Sequence, residues 1–411
     1  MTPRGLVRLL SAIEIVGLLP SANFPALVPQ FTAAWNLSGA EAGWIIGIQS
    51  FAYMLVVPFV LSLTDRIDAR RFMLAGCVIG GVAHAGFALF ADGFISALPW
   101  RALGGVGLAL FFMPGLRVLT DRLAKAEQGY AITIYMGCYA AGMGISYAVV
   151  GLVEESFGWR AAFLVSAAGP LAVLPAILLF VHPQQPVTGP EGNNRHPLDF
   201  RPLFANRPAL GFILATAGHT FEFSAMRAWM TAFLVFAMAQ HGVPAIYGLS
   251  AATIAALTNF VTLPSSMTGA SLGRRFGQRR MVFVIMAGSF LLASLTGVIG
   301  TWPLWVAVAF VFLHTFTSTA DQGLLNAGAV AAAKPGEVGM TMSALAVVTF
   351  LTTGLGAIMV GVVFDLMGGR GDPAAWSLGY ALAALLPLLG LGALSLLSRP
   401  SAPADAHSRT S

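Results

Sequence analysis

The sequence predicts an all-α, polytopic membrane protein whose twelve transmembrane helices form two pseudo-symmetric halves of six helices each. Composition is the first observation behind this prediction: 57% of the 411 residues are hydrophobic and 9% are charged, whereas an ordinary soluble domain is about 25% charged. The second is that the apolar residues fall in blocks of roughly twenty, long enough as helices to cross about 30 Å of hydrocarbon. The third is an internal repeat between the two halves of the chain.

The apolar blocks favour helices over the strands of a β-barrel. The blocks at 72–91 and 281–300 are almost continuously apolar, while barrel strands alternate apolar and polar residues. Because lipid offers the backbone no hydrogen-bond partner, helices that satisfy their own N–H and C=O groups are expected. The basic start of the chain is similar to a signal peptide, but Glu14 interrupts its apolar centre. We therefore expect a retained first helix.

Twelve spans are predicted along the chain. They are 6–30, 41–64, 72–91, 96–120, 129–154, 159–181, 208–236, 245–268, 281–299, 303–331, 338–365 and 374–397. If both termini are cytoplasmic, all but four of the 22 Lys and Arg residues lie in or beside cytoplasmic segments, as the positive-inside rule requires. The four exceptions are Arg101, Arg160, Arg227 and Arg370. The net charge of +5 thus reflects topology and gives no reason to expect a nucleic-acid partner.

A polar segment rich in proline and glycine divides the spans six and six. The predicted organisation is an N-terminal bundle over 1–181, a cytoplasmic linker over 182–207, a C-terminal bundle over 208–397 and a disordered cytoplasmic tail over 398–411. A repeat supports this division. Gly151, Glu155, Gly158 and Arg160 recur, each 210 residues later, as Gly361, Asp365, Gly368 and Arg370. One six-helix unit has been duplicated.

Two loops carry related basic motifs, LSLTDRIDARR at 61–71 and GASLGRRFGQRR at 269–280. Both resemble the cytoplasmic signature of the major facilitator superfamily, G-x-x-x-D-R-x-G-R-R, which that family places in the same two loops. The matching residues are Asp65, Arg66, Arg70, Arg71, Gly269, Arg279 and Arg280. Leu61 and Asp68 replace glycines in the first copy, and the second copy lacks the aspartate.

A physical reading of the first loop gives these residues the role of a cytoplasmic gate. Asp65 could face the positive N-terminus of a neighbouring helix, and the arginines could pair with acids or lipid phosphate. The alternative is that the arginines only set the orientation of the chain, since the positive-inside rule alone would place them there.

Other segments support the same resemblance. RALGGVG at 101–107 is similar to the R-x-x-Q-G-x-G of the family's fourth helix, and GWRAAF at 158–163 is typical of its turn into the sixth. The family's antiporter motif on the fifth helix is poorly met at 137–144, where its proline is missing. The resemblance implies two halves that rock about a central site lined by the first, fourth, seventh and tenth helices.

Ionisable residues inside the predicted spans are the candidate site, because a charge in the membrane costs about 2.5–3.5 kcal/mol on insertion scales. The candidates among them are Glu14, Arg101, His219, Glu222, Arg227, His314 and Asp321; Arg117 also falls on a predicted cavity helix, and His84 lies on a helix expected to be peripheral and is left out. At 100° per residue, His314 and Asp321 share one face of the tenth span, about 10 Å apart along the axis. We expect both to meet a water-filled cavity, and hydrogen bonding between helices is the alternative.

Glu14 is a candidate proton carrier, because burial favours the protonated form of a carboxyl group and allows it to take up and release a proton near neutral pH. A structural ion pair with an arginine is the alternative. In the seventh span, Glu222 and Arg227 lie about 140° apart, so they cannot bridge one another. Either this helix is unwound locally, or one group pairs with a neighbouring helix while the other faces the cavity.

The function that the resemblance implies is secondary active transport of a small solute by alternating access. We expect proton coupling, with Glu14, Glu222 and Asp321 as carriers, His219 and His314 in a relay, and Arg227 or Arg101 holding an anionic group. Export of a neutral or cationic organic compound is slightly favoured over proton symport of a small organic or inorganic anion. A receptor or assembly factor on a carrier scaffold is an alternative of another class.

No enzyme, metal site or cofactor is predicted, because the histidines are scattered and no nucleophile–base set or phosphate loop is present. We expect a monomer in the cytoplasmic (inner) membrane, in contact with lipid, protons and the small-molecule substrate.

Overall fold

The computed structural model describes residues 2–185, 200–246, 248–334 and 337–397, and these fold almost entirely as α-helices. The all-α prediction is confirmed, since no β-strand forms within these ranges. The middle of the predicted linker, 186–199, and the predicted tail, 398–411, lie outside the described residues.

The helices fall on either side of the linker. Those of the N-terminal half are α1 Pro3–Gly17, α2 Asn23–Ala26, α3 Val28–Ala34, α4 Gly39–Leu63, α5 Ala69–Phe90, α6 Phe94–Asp121, α7 Lys125–Ala172 and α8 Leu174–Phe180. Those of the C-terminal half are α9 Arg201–Phe204, α10 Arg207–Gln240, α11 Ala251–Asn259, α12 Thr262–Phe276, α13 Gln278–Gly300, α14 Leu304–Ala320, α15 Gln322–Ala332, α16 Val338–Leu366 and α17 Pro373–Leu397.

Nine helical stretches of the described chain are long and apolar enough to cross a membrane. One of them, Lys125–Phe180, covers the region of the fifth and sixth predicted spans. The helix bends between these two spans at Gly158, whose φ is 79°. Glycine adopts this left-handed conformation without steric cost. The first and eighth predicted spans are broken into α1–α3 and α11–α12. Counting the bent stretch twice and each broken span once is consistent with the twelve predicted spans.

Prolines account for the two broken spans. Pro20, Pro25 and Pro29 fall within the first span, and Pro264 follows the break between α11 and α12. Proline has no N–H to donate to the carbonyl four residues earlier, so the helical hydrogen-bond ladder is interrupted there. The second break leaves Asn259 as the last residue of α11.

The two halves meet most closely where α4 packs against α16. A methyl group added at Gly39 would lie 2.2 Å from the carbonyl oxygen of Gly361, and one added at Gly43 would lie 2.7 Å from that of Ala357. The backbones of the two helices therefore touch. Small residues allow such close approach in membranes, where packing replaces the hydrophobic effect as the source of helix association.

A carboxylate joins the halves beside this contact. Asp365, near the end of α16, accepts hydrogen bonds from the backbone N–H groups of Gly39 at 2.6 Å and Ala40 at 2.8 Å. These N–H groups open α4, and the N-terminus of a helix carries a partial positive charge that favours an anion. Asp365 belongs to the repeated motif of the sequence, so one copy of that motif bridges the two halves.

The halves meet at two seams, the α4–α16 contact and a second contact between α7 and α11. A methyl group at Gly151 would lie 2.9 Å from the Ala252 side chain, and one at Gly144 would lie 3.1 Å from the carbonyl oxygen of Ala256. Between the two seams, α10 packs against α14, α16 and α17 of its own half and reaches α2 and α3 of the other half. This helix therefore lies at the centre of the protein.

The α4–α16 contact predicts the effect of adding one methyl group. The Gly39→Ala substitution would push against the backbone oxygen of Gly361, and overpacking of this kind costs about 1–3 kcal/mol. We expect a lower midpoint of thermal unfolding for the purified protein in detergent. Gly392→Ala, in α17, is the matched control because a methyl group there meets nothing within 4 Å. Equal midpoints for the two variants would contradict the close contact.

Candidate functional site

The candidate site is built on α10, which carries the segment GHTFEFSAMRAW at 218–229. The helix runs without interruption from Arg207 to Gln240. Local unwinding, one of the two alternatives for Glu222 and Arg227, is therefore not what the structure adopts. The two side chains leave an intact helix in different directions and find different partners.

Glu222 points into the C-terminal half. Its Oε1 atom accepts a hydrogen bond from the Ser289 hydroxyl of α13 at 2.6 Å and lies 3.4 Å from His314 Nε2 of α14. Glu222, Ser289 and His314 are all buried. A buried carboxyl group requires such partners, because an unpaired polar group in an apolar interior is costly. The acid is thus held by its own half of the protein.

His219 forms the second pair with the same region. Its Nδ1 atom lies 2.9 Å from Asp321 Oδ1, at the junction of α14 and α15, and both side chains are buried. The two pairs, His219–Asp321 and Glu222–His314, show that α10 and α14 run antiparallel, because the residue number rises along α10 while it falls along α14. The pairs are successive contacts between the two helices. In this structure His314 and Asp321 each contact a residue of α10, and the expectation that both meet one water-filled cavity stays a prediction.

Arg227 lies on the other side of α10. Its Nη2 atom donates a hydrogen bond to Asn259 Oδ1 of α11, and its guanidinium lies 5.6 Å from the ring centroid of Phe223. The Tyr147 hydroxyl, from α7 of the other half, donates to the Arg227 carbonyl oxygen at 3.3 Å. Within the described ranges no carboxylate lies within 4 Å of the guanidinium. The arginine is held by neutral partners.

A small cavity opens beside Arg227, between α7 of one half and α10, α11, α12 and α14 of the other. Its walls combine an apolar side with hydroxyl, amide, imidazole and guanidinium groups. The lining residues are Tyr147, Phe223, Met226, Arg227, Met230, Thr258, Asn259, Thr262, His314, Thr315 and Ser318. Arg227 and His314 are thus the predicted site residues that reach this space, while Glu222 stands behind His314.

Glu14 occupies a separate position in the N-terminal half. It is completely buried in α1, and neither carboxyl oxygen has a hydrogen-bond partner among the described residues. The α1 helix that carries Glu14 packs against α7 of the same half. No arginine pairs with Glu14 in this part of the structure, so the ion-pair alternative is absent here.

Arg101 is buried inside the N-terminal half and does not line the cavity beside Arg227. Its Nε atom donates to the Ile45 carbonyl oxygen of α4 at 3.2 Å, and its guanidinium lies 5.7 Å from the ring centroid of Phe24. On the same helix as Arg101, a methyl group at Gly104 would lie 3.2 Å from His84 Nε2 of α5. These contacts tie α6 to its neighbours.

The predicted gate residues contact their own halves. Asp65 lies 3.3 Å from Arg117 of α6, rather than at the N-terminus of a neighbouring helix as expected. Arg70 donates to the carbonyl oxygen of Leu178 at 2.9 Å. In both contacts the partner belongs to the N-terminal half.

The second copy of the gate motif behaves in the same way. Arg279 donates to the Ser395 carbonyl oxygen at 2.9 Å, and the Gly269 backbone lies directly against that of Ala320. The remaining arginines of the motif are exposed. These are Arg66, Arg71 and Arg280. The contacts found for the motif within the described residues thus do not bridge the halves.

Comparison with known proteins identifies the family. The sequence profile of the Major Facilitator Superfamily matches residues 10–265, more than half of the chain. The chain belongs to the major facilitator superfamily. The family and the fold are those of membrane transporters, so this superfamily member is not an enzyme.

Individual relatives agree with this assignment. Protein spinster homolog 1 of Homo sapiens is 23% identical over 314 residues, covering 72% of this chain and 58% of the human protein, so this chain spans little more than half of that relative. The Gentisate transporter of Corynebacterium glutamicum is 26% identical over 387 residues, covering 89% of this chain and 81% of the relative. A solved structure of a bacterial homolog to the human lysosomal transporter Spinster, inward-facing and unoccupied, is 17% identical with a TM-score of 0.77, covering 98% of this chain and 99% of that one. That likeness shows a common fold.

Three residues of this superfamily member's site are neutral and were missed by a sequence search for ionisable groups. Ser289 donates a hydrogen bond to Glu222, and Asn259 accepts one from Arg227. Tyr147, from the other half, donates to the Arg227 carbonyl oxygen. An asparagine within an apolar span is itself uncommon, so Asn259 could have been found by extending the search to amides. Serine and tyrosine occur too widely in membrane helices to give such a signal.

The His219–Asp321 pair predicts non-additive effects on stability. His219→Ala removes the imidazole beside the buried Asp321 carboxyl group, and Asp321→Asn removes the charge that this imidazole faces, so the double variant should lose less than the sum of the two single losses. We expect a coupling energy of about 0.5–3 kcal/mol from unfolding in detergent.

The control for this cycle combines Asp321→Asn with His84→Ala. His84 is buried in the other half, among residues of α5, α6 and α7. Its effect should add to that of Asp321→Asn within about 0.3–0.5 kcal/mol. Additivity in the His219 cycle as well would remove the case for a direct interaction.

Proposed function

We propose that this protein carries a small organic anion across the cytoplasmic membrane together with protons, by exposing a central site alternately to the two sides. Both termini face the cytoplasm in this proposal, as the distribution of basic residues favours. The protein acts as a monomer surrounded by lipid. Of the substrate classes that the sequence leaves open, the structure supports the anion.

The observation that carries this proposal is the state of Arg227. It lines the central cavity, its Nη2 atom binds a neutral amide, and its buried Nε atom has no hydrogen-bond partner among the described residues. The nearby acids are engaged elsewhere, Glu222 by Ser289 and His314, and Asp321 by His219. The cavity therefore presents a positive charge, and a guanidinium binds carboxylates through paired N–H groups.

The apolar part of the cavity wall suits an apolar body. Phe223, Met226 and Met230 line it together with Arg227. A binding pocket for a small organic molecule combines apolar walls with a few oriented polar groups. The relative named Gentisate transporter carries the name of an aromatic carboxylate, which is consistent with this combination. We propose an aromatic or similarly apolar carboxylate as the substrate class.

Glu14 supports the coupling to protons. Its carboxyl group is fully buried and has no hydrogen-bond partner within the described chain. A carboxylate in such surroundings is unfavourable unless it takes up a proton or gains access to water.

Transport by the purified protein in liposomes tests the role of Arg227. With the outside more acidic than the inside, we expect uptake of labelled aromatic carboxylates above that of protein-free liposomes. Arg227→Gln should reduce uptake roughly tenfold or more, since a hydrogen bond to a charged group contributes about 1.5–3 kcal/mol. Arg227→Lys should retain part of it, because the charge remains without the planar fork.

Arg160→Gln is the matched control, because Arg160 is exposed and stacks on Trp159 away from the cavity. It should leave uptake unchanged. Wild-type activity in Arg227→Gln, or proton flux that no organic anion elicits, would overturn the proposed function.

Glu14→Gln tests the coupling separately. The substitution keeps the shape of the side chain and removes its ability to exchange a proton. We expect loss of accumulation driven by the pH gradient, while exchange of labelled for unlabelled anion across the membrane persists. Glu155→Gln, at an exposed acid of α7, serves as the control and should accumulate the anion normally. Unimpaired accumulation in Glu14→Gln would eliminate Glu14 as the proton carrier.

A further inference from the structure

We infer that Asn259 determines the charge selectivity of the site, by holding Arg227 in place without neutralising it. The inference rests on the proposed function, because it assigns the residue that makes the same cavity selective for anions. Asn259 is the last residue of α11 and is buried. It lies between Arg227 of α10 and the α7 helix of the other half, where a methyl group at Gly144 would approach its Cβ atom to 3.2 Å.

The orientation of the Asn259 amide follows from its two partners. Its Nδ2 atom donates to the carbonyl oxygen of Ala255, one turn earlier in α11, at 2.8 Å. Its Oδ1 atom accepts from Arg227 Nη2. A carbonyl oxygen can only accept and a guanidinium can only donate, so this orientation alone satisfies both groups. The amide therefore fixes the arginine through a neutral acceptor that is itself anchored to the helix.

The neutrality of this partner is the selective feature. An aspartate in the same place would be nearly isosteric and would supply a carboxylate at hydrogen-bond distance from the guanidinium. Charge-assisted pairs of this kind are stronger than neutral hydrogen bonds, so an internal carboxylate would compete with an incoming one. With asparagine, the positive charge stays available to the solute. Asn259 is thus a positioning residue that also leaves the charge of Arg227 unbalanced.

The experiment compares two probe molecules of the same shape, benzoate and benzamide. Binding of each is measured by the rise in thermal unfolding midpoint of the full-length protein in detergent, and by competition with labelled benzoate transport in liposomes. Wild type should bind benzoate roughly tenfold or more tightly than benzamide, the difference expected for one charged hydrogen-bond pair. Asn259→Asp should abolish this preference, because the tethered carboxylate already occupies the guanidinium.

Asn259→Leu tests positioning independently of charge. The side chain has a similar size and stays neutral, but it cannot accept from Arg227. We expect a several-fold increase in the KM for benzoate, as loss of one charged hydrogen bond implies, while the preference for benzoate over benzamide persists. This contrast with Asn259→Asp separates loss of charge selectivity from general damage to the site. It also keeps the inference testable if the aspartate variant does not fold.

The possible outcomes distinguish this inference from the proposed function. A wild type that neither transports benzoate nor prefers it to benzamide would overturn both. A wild type with the preference, together with an Asn259→Asp variant that retains it, would overturn the role of Asn259 alone. An unchanged KM in Asn259→Leu would overturn its positioning of Arg227.

Discussion

The need of each buried ionisable group for a partner is the constraint on which the centre of this structure depends. Lipid and packed helices solvate charge poorly, so every such side chain must pair, take up a proton or meet water. Along α10, His219 and Glu222 meet this requirement by reaching α14 and its junction with α15, with Ser289 of α13 as an additional donor. These contacts fix the rotation of α10 about its own axis. That rotation directs Arg227 towards the other half.

The two halves are joined differently at their two seams, although the chain carries an internal repeat. In the C-terminal copy of the repeated motif, Asp365 caps the first N–H groups of α4 across the boundary between halves. The matching Glu155 is exposed. Both α4 and the corresponding helix α11 are capped by their own serines, Ser38 accepting from Glu41 N at 3.1 Å and Ser250 from Thr253 N at 3.3 Å, but α4 has Asp365 in addition. Of the two similar sequences of the repeat, the C-terminal copy is the one whose acid bridges the halves among the described residues.

The sequence predicts the class of fold and the segments that cross the membrane, because a spanning helix must be apolar and must be long enough to cross the hydrocarbon core. It also separates Glu222 from Arg227, since their angular offset depends only on helix geometry. It could not assign them to partners. That step requires the rotation of α10 relative to α13 and α14, which is set by packing among many residues. The pairing of Gly39 with Gly361 is hidden for the same reason, although the Gly39, Gly43, Gly47 spacing marks one side of a close helix contact.

Charge balance connects the two unpaired groups of the proposed site. Glu14 in one half has no hydrogen-bond partner, and Arg227 in the other has no carboxylate partner within the described residues. In the proposed cycle, an empty site in which water reaches an ionised Glu14 has no net charge, because that carboxylate balances the free Arg227. When an anion binds Arg227, a proton on Glu14 restores the sum to zero. An anion without the proton, or a proton without the anion, leaves a net charge in a low-dielectric interior, where it is unfavourable. In the proposed function, movement of the halves past one another would then be easiest in the two neutral arrangements, which would couple one anion to one proton without any direct contact between Glu14 and the substrate.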